Sequence, residues 1–118
     1  MDLLQDLQAH LLAKPAVTIG EPFGPGVHVY KVAGKMFLLI VPGNLPPTMN
    51  FKVDPDEADE LRERWPSVTP GYHMNKRHWS TLAFDGRVPR SLVFEWVERS
   101  HDLVVAGLTK KERAAAGL

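Results

Sequence analysis

Two β-forming segments separated by Ala33-Gly34 constrain the fold of this chain more than any other feature. Residues 27–32 and 35–41 are rich in β-branched and aromatic side chains, and a two-residue connection that contains glycine favours a tight hairpin. The second segment is apolar on both faces, which is typical of a strand in the middle of a sheet. The chain is therefore predicted to be built around an antiparallel sheet.

The segments that precede the hairpin predict a helix and a rigid connector. Leucines recur at helical spacing over residues 2–13, and Pro15 ends the pattern. Residues 21–26 combine proline and glycine in a turn-rich stretch. A first helix that packs beside the sheet is the expected arrangement.

A third strand and a second helix are predicted after the hairpin. Residues 42–47 form a loop, and apolar and polar side chains then alternate over residues 49–53, as in a strand with one wet face. Asp54 is a good N-cap, with proline next and Glu57 three residues on, so a helix should begin there. Its apolar stripe comprises Ala58, Leu61 and Trp65, and Pro66 ends it.

The last third of the chain predicts one more strand and a long helix. Residues 78–84 form the strand, which ends at an Asp85-Gly86 turn. The long helix begins at Pro89 and ends at Gly107, and a short final helix follows a capping box at residues 109–112. We therefore predict a single α+β domain over residues 1–118, with helices packed on an antiparallel sheet.

Composition narrows the class of protein further. The chain has 118 residues and no cysteine, so disulfides, Cys-ligated metals and thiol nucleophiles are excluded. Its formal net charge of zero argues against a strongly cationic nucleic-acid binder. The longest apolar run, residues 36–41, is too short to span a bilayer, and no secretory leader is visible. A cytoplasmic protein without a membrane segment is expected.

The charges are unevenly distributed along the chain. Acidic residues concentrate in residues 54–63, whereas no acid occurs between Glu63 and Asp85. That acid-free stretch contains residues 71–79, which combine two histidines, a Lys-Arg pair, an amide and two aromatics, and such a density of donors suits phosphate or a carboxylate. The candidate anion-binding residues are Lys31, Lys35, His73, Asn75, Lys76, Arg77 and His78.

Other interpretations of this segment remain open. The cations of the loop could simply pair with the acidic helix. Tyr72 and Trp79 could stack on bases, although Trp79 is predicted to pack in the core. His73, His78 and His28 lack the support of cysteine or a nearby carboxylate, so no metal and no cofactor is predicted.

The segment contains no recognisable catalytic arrangement. Ser80 and Thr81 lie beside His78, but neighbouring strand residues point to opposite faces, so no catalytic triad can be assembled from them. No phosphate loop or nucleophile elbow occurs. We predict a non-enzymatic protein.

Three stretches together resemble the MmcQ/YjbR family of small bacterial proteins. The first stretch comprises residues 22–26 together with 31–37, and the second is residues 71–79. The third is Ser100-His-Asp-Leu-Val-Val-Ala-Gly107. Ala33 stands where many relatives have glycine, and Ser80 where many have asparagine. The resemblance implies a frataxin-like or "double wing" α+β fold, and the family is usually labelled DNA-binding.

The sequence thus predicts a binder of DNA or another polyanion. One alternative is a protein-interaction module that uses the acidic helix, which an exposed apolar patch beside that helix would favour. The other is an enzyme centred on the His-rich loop, which a pocket joining His73, His78 and a carboxylate would favour.

Overall fold

The described part of the chain folds into one six-stranded sheet with four helices. The structure is a computed structural model that describes residues 2–71 and 74–118. The elements are α1 (Leu3–Leu12), β1 (Val17–Gly20), β2 (His28–Val32), β3 (Lys35–Val41), β4 (Thr48–Lys52), α2 (Pro55–Arg64), β5 (Val68–Pro70), β6 (Trp79–Ala83), α3 (Arg90–Ala106) and α4 (Lys110–Ala116).

Every strand pairs antiparallel to its neighbours, in the order β1-β2-β3-β4-β6-β5. The predicted α+β fold is confirmed, and β3 lies inside the sheet as its two apolar faces indicated. The sequence prediction missed β1 and β5, which are the two edge strands and have only 4 and 3 residues. Segments this short carry too little alternation to be recognised.

The β2–β3 hairpin turns at Ala33-Gly34 as predicted. Both residues have left-handed backbone, with φ of 51° and 79°. This is the combination that a two-residue hairpin turn with the twist of the flanking strands requires. The amide of Ala33 also donates to the carbonyl oxygen of Ala16 at 3.0 Å, so the turn is attached to the chain just before β1.

The same hairpin contains a β-bulge close to its turn. Tyr30 pairs with Leu38 and Lys31 with Met36, so Phe37 is an extra residue on β3. Phe37 and Leu38 are both fully buried. The bulge therefore directs two consecutive large side chains into the core.

The core lies between one face of the sheet and the helices α1 and α3. Phe51 and Leu82 on the sheet, Leu11 of α1 and Val97 of α3 are at most 1% exposed. Leu82 and Ser80 occupy the core-facing positions of β6, so Trp79 faces the other side of the sheet and is only half-buried. The prediction that Trp79 packs in the core is therefore wrong. Neighbouring residues of a strand face opposite sides of the sheet, and the core side of β6 is occupied by Ser80 and Leu82 rather than by Trp79.

None of the helices in the described part of the chain is long and apolar enough to cross a membrane.

Candidate nucleic-acid interface

The face of the sheet opposite α1 and α3 carries two rows of aligned side chains. Strand register places Gly20, Val29, Leu39, Asn50, Thr81 and Thr69 side by side across all six strands. A second row near one end of the sheet contains Lys31, Met36, Lys52 and Trp79, and all four are half-buried. Val29 and Leu39 of the first row are buried, whereas its polar residues Asn50, Thr81 and Thr69 are at least partly accessible. We call this side of the sheet the open face.

The second row brings two lysines and a tryptophan to the same end of the sheet. Lys52 is the direct cross-strand partner of Trp79. Lys31 lies on β2, two strands from Lys52, which corresponds to roughly 10 Å between their backbones. The open face thus presents two lysines and an aromatic side chain within four neighbouring strands.

Acidic residues are separated from this face by the fold. None of the six strands, all of whose residues are described, contains aspartate or glutamate. Ten of the fourteen acids lie in helices, and five of those ten are in α2. A protein with no net charge therefore has a sheet whose only formally charged residues are lysines.

A polar pair at the centre of the open face has a defined orientation. The hydroxyl of Thr81 donates to Oδ1 of Asn50 at 2.5 Å, across the β4–β6 pair. Because the amide oxygen accepts this bond, the Nδ2 group of Asn50 is left as the donor to a partner. The pair adds a neutral hydrogen-bonding group to the lysines.

The basic loop adjoins the Trp79 end of the open face. The amides of His78 and Trp79 both donate to the carbonyl oxygen of Asn75, at 3.1 and 2.9 Å, and the Asn75 side chain accepts from the amide of Arg77 at 3.0 Å. Residues 75–79 therefore form a tight turn. Lys76 and Arg77 lie at its tip and are exposed.

The turn is attached to the body of the protein by Arg62 of α2. One nitrogen of its guanidinium donates to the carbonyl oxygens of Lys76 and Trp79, at 2.6 and 3.0 Å, and lies 3.2 Å from the Ser80 hydroxyl. The amide of Val53 donates to the His78 carbonyl at 2.7 Å. Both contacts are to the backbone, so they set the shape of the loop.

Sequence reasoning missed Arg62, although a signal was present. The apolar stripe of α2 runs through Ala58, Leu61 and Trp65, and position 62 completes the helical spacing of that stripe. A charged residue at a position that faces the protein body needs a specific partner. Arg62 could have been singled out on that ground.

The structure brings together some of the predicted site residues and separates others. Asn75, Lys76, Arg77 and His78 lie in the loop, and Lys31 lies on the open face. Lys35 does not join them, because its Nζ lies 3.7 Å from Glu112 on α4. His73 and Tyr72 lie outside the described residues. Lys52, which lies in the same acid-free stretch of sequence as Lys31 and Lys35, also belongs to the open face.

A second surface of interest is a groove between α2 and α3. Two adjoining cavities of about 260 and 550 Å³ share Glu60, Leu61 and Trp96. The Trp96 ring stacks on Phe51, with centroids 5.7 Å apart, and meets the Trp65 ring edge-on at 6.3 Å. The groove therefore has an aromatic floor beside the most acidic helix.

A cluster on α3 brings three potential metal ligands within 4.8 Å of one another: Glu98, His101 and Asp102. The Glu98 carboxylate is already bonded to Lys14 at 2.9 Å and His10 at 2.6 Å. Partial burial raises the pKa of Glu98, but these two hydrogen bonds outweigh it and keep the pKa below its ordinary value. A lysine ammonium here disfavours a metal cation, so the cluster is better explained as a link between α1 and α3.

Comparisons with known proteins agree with this architecture. The curated relative YbdF of Escherichia coli O157:H7 is 36% identical over 102 residues, which are 86% of this chain and 84% of the relative. YjbR of Escherichia coli K12 is 28% identical over 110 residues, 93% of each chain. Both are described as uncharacterized proteins.

A crystal structure of a Deinococcus radiodurans protein has the same fold. It superposes with a TM-score of 0.90 at 37% identity, over 98% of this chain and 88% of that one. The family model described as YjbR matches residues 12–103, which is most of the chain. The protein therefore belongs to the YjbR family.

Proposed function

We propose that this protein binds nucleic acid or a similar polyanion through the open face and the adjoining basic loop. The observation that carries the proposal is the separation of charge, with lysines but no acids in the strands and most acids in the helices. Phosphate groups that approach the sheet meet Lys31 and Lys52, and then Arg77 at the end of the face. The strands contain no aspartate or glutamate that would repel the phosphates.

The small number of cations sets the expected strength of binding. Lys31, Lys52, Lys76 and Arg77 offer three or four phosphate contacts. Each contact on duplex DNA changes the logarithm of affinity by roughly 0.9 per log unit of salt, so a slope of about −3 and micromolar or weaker affinity at physiological salt are expected. Binding of this kind positions the ligand without selecting a sequence.

A salt titration of a fluorescent oligonucleotide tests the proposal. The double variant Lys76→Ala with Arg77→Ala should flatten the salt slope by about two and weaken all sequences alike. The matched control, Arg87→Ala with Arg90→Ala, removes the same charge at the other end of the sheet and should leave the slope unchanged. Binding that does not depend on salt, or no binding to any nucleic acid at low salt, would contradict the proposal.

A second candidate function is favoured by the groove between α2 and α3. The groove is lined by Leu61, Trp65 and Trp96, and also by the cationic residues Lys52, Arg64 and Arg99. The exposed carboxylates of Glu60 and Glu95 line it as well. In the described part of the chain, neither of these carboxylates takes part in an ion pair. We infer that the groove fits a basic segment of a partner protein, whose lysine or arginine side chains would pair with Glu60 and Glu95 while its apolar side chains contact Leu61.

A labelled decapeptide of alternating lysine and leucine is a suitable probe for this groove. Glu60→Gln should weaken its binding several-fold. Asp59→Asn removes the same charge from the neighbouring position of α2, outside the groove, and should have a smaller effect. Equal effects of the two substitutions would show that only the overall charge of the helix attracts the peptide.

A further inference from the structure

We propose that the open face binds unpaired bases and that Trp79 is the residue on which a base stacks, so that single strands are bound in preference to duplexes. This inference rests on the proposed function, since it specifies which nucleic acid the same surface takes. The observation behind the inference is the position of Trp79. If the surface contacted phosphates alone, there would be no reason for a tryptophan there.

Trp79 is held in place by its backbone and by close neighbours. Its carbonyl oxygen accepts hydrogen bonds from the amide of Gly71 at 3.0 Å and from Arg62 at 3.0 Å. A Cβ atom added to Gly71 would lie 3.0 Å from the Cβ of Trp79, so Gly71 allows close approach at the base of the indole. The ring is therefore presented from a fixed strand rather than from a flexible loop.

Core packing does not account for a tryptophan at this position. The core side of β6 is filled by Ser80 and Leu82, both at most 1% exposed. Trp79 instead lies on the open face next to Lys52 and remains partly accessible. Aromatic side chains on an open sheet, flanked by cations, are a common platform for unstacked bases.

The groups around Trp79 suit a strand that lies across the sheet. Lys52 is the cross-strand partner of Trp79, and Lys31 lies two strands further. The two lysines can therefore contact different phosphates of the same strand while one of its bases covers the indole ring. The Nδ2 group of Asn50 is close enough in the register to donate to a base edge. In a duplex the bases are already stacked and paired, so only the phosphates would be available to this face.

The test compares three probes of the same length and charge per strand: a mixed-sequence 15-nucleotide single strand, its blunt duplex, and a 15-unit abasic oligonucleotide. Fluorescence anisotropy at low salt gives each affinity. The single strand should bind about tenfold more tightly than the abasic strand, since stacking of one base on an aromatic ring has that order of effect. The single strand should also bind more tightly than the duplex.

The variant Trp79→Leu should abolish the difference between the single strand and the abasic strand and leave the salt slope unchanged. Phe23→Leu is the matched control, because Phe23 is 69% exposed at the opposite end of the sheet, and it should retain the full difference. Circular dichroism checks that both variants are folded. If Trp79→Leu is unfolded, Trp79→Phe, which keeps a smaller ring, should retain part of the difference.

The outcomes separate this inference from the function on which it rests. Equal binding of the single strand and the abasic strand by the unmodified protein would overturn the stacking role of Trp79 and leave polyanion binding intact. No binding of any of the three probes would overturn both.

Discussion

The hydroxyl of Ser100 on α3 donates to the carbonyl oxygen of Phe37 at 2.5 Å and accepts a hydrogen bond from the amide of Lys52 at 2.8 Å. Phe37 is the extra residue of the bulge, and Lys52 is the last residue of the neighbouring strand. The Ser100 hydroxyl therefore bridges a main-chain carbonyl of β3 and a main-chain amide of β4 in place of a direct hydrogen bond between the two strands. This contact gives a structural reason for the first residue of the Ser100–Gly107 motif.

Ser100→Ala should destabilise the protein by about 1–3 kcal/mol, because it leaves a buried carbonyl and a strand amide without their partner. Urea unfolding followed by circular dichroism measures the change. Ser91→Ala, at an exposed position of the same helix, should change the free energy of unfolding by less than about 0.5 kcal/mol. Equal effects of the two substitutions would contradict the bridging role of Ser100.

Arg62→Met should cost about 1.5–3 kcal/mol, because the guanidinium donates charged hydrogen bonds to the Lys76 and Trp79 carbonyls. The denaturant midpoint gives the loss of stability. Hydrogen exchange of the Trp79 amide should also become faster than in the unmodified protein. Arg64→Met, an exposed neighbour on α2, is the control and should have little effect on either measurement.

Glu98 should stabilise the protein in a way that depends on pH. The folded protein holds the pKa of Glu98 below its ordinary value, so the carboxylate favours folding above the ordinary pKa of about 4.3, and this contribution is lost as the pH falls through the folded pKa. Glu98→Gln should therefore cost about 0.5–1 kcal/mol at pH 7 and much less at pH 3. Glu95→Gln is the control, because it removes a carboxylate of the same helix that has no ion pair in the described residues, and it should cost less than Glu98→Gln at pH 7.

Ala33→Gly should stabilise the protein slightly. A left-handed alanine costs roughly 1–2 kcal/mol, and glycine removes that cost while adding about 0.4–1 kcal/mol of unfolded-chain entropy. We expect a net gain of about 0.5 kcal/mol, measured as a small rise in Tm. Ala9→Gly in the exposed face of α1 should instead destabilise by about 1 kcal/mol.

The sequence predicts most of the fold because its main elements have strong local patterns. The hairpin at Ala33-Gly34, the capped start of α2 at Asp54 and the long helix α3 were all recognisable from periodicity and turn residues. The edge strands β1 and β5 were not recognisable, since they are fixed by pairing with β2 and β6 rather than by their own residues.

The candidate site was predicted less well, for reasons of geometry. Loop residues 75–78 were identified by composition, which needs no knowledge of the fold. The grouping of Lys31 with Lys52 depends on strand register, and the separation of Lys35 depends on the position of α4. Trp79 was assigned to the wrong side of β6, because a buried serine at position 80 is intelligible only once its contact with Arg62 is seen.

The hydrogen bonds from Arg62 to the loop end on main-chain oxygens, which every residue type possesses. Replacing the side chains at positions 76 and 77 therefore leaves those bonds available, and the turn can keep its shape while its outer chemistry changes. Substitutions at these two exposed positions should therefore change the chemistry of the surface at little cost in folding.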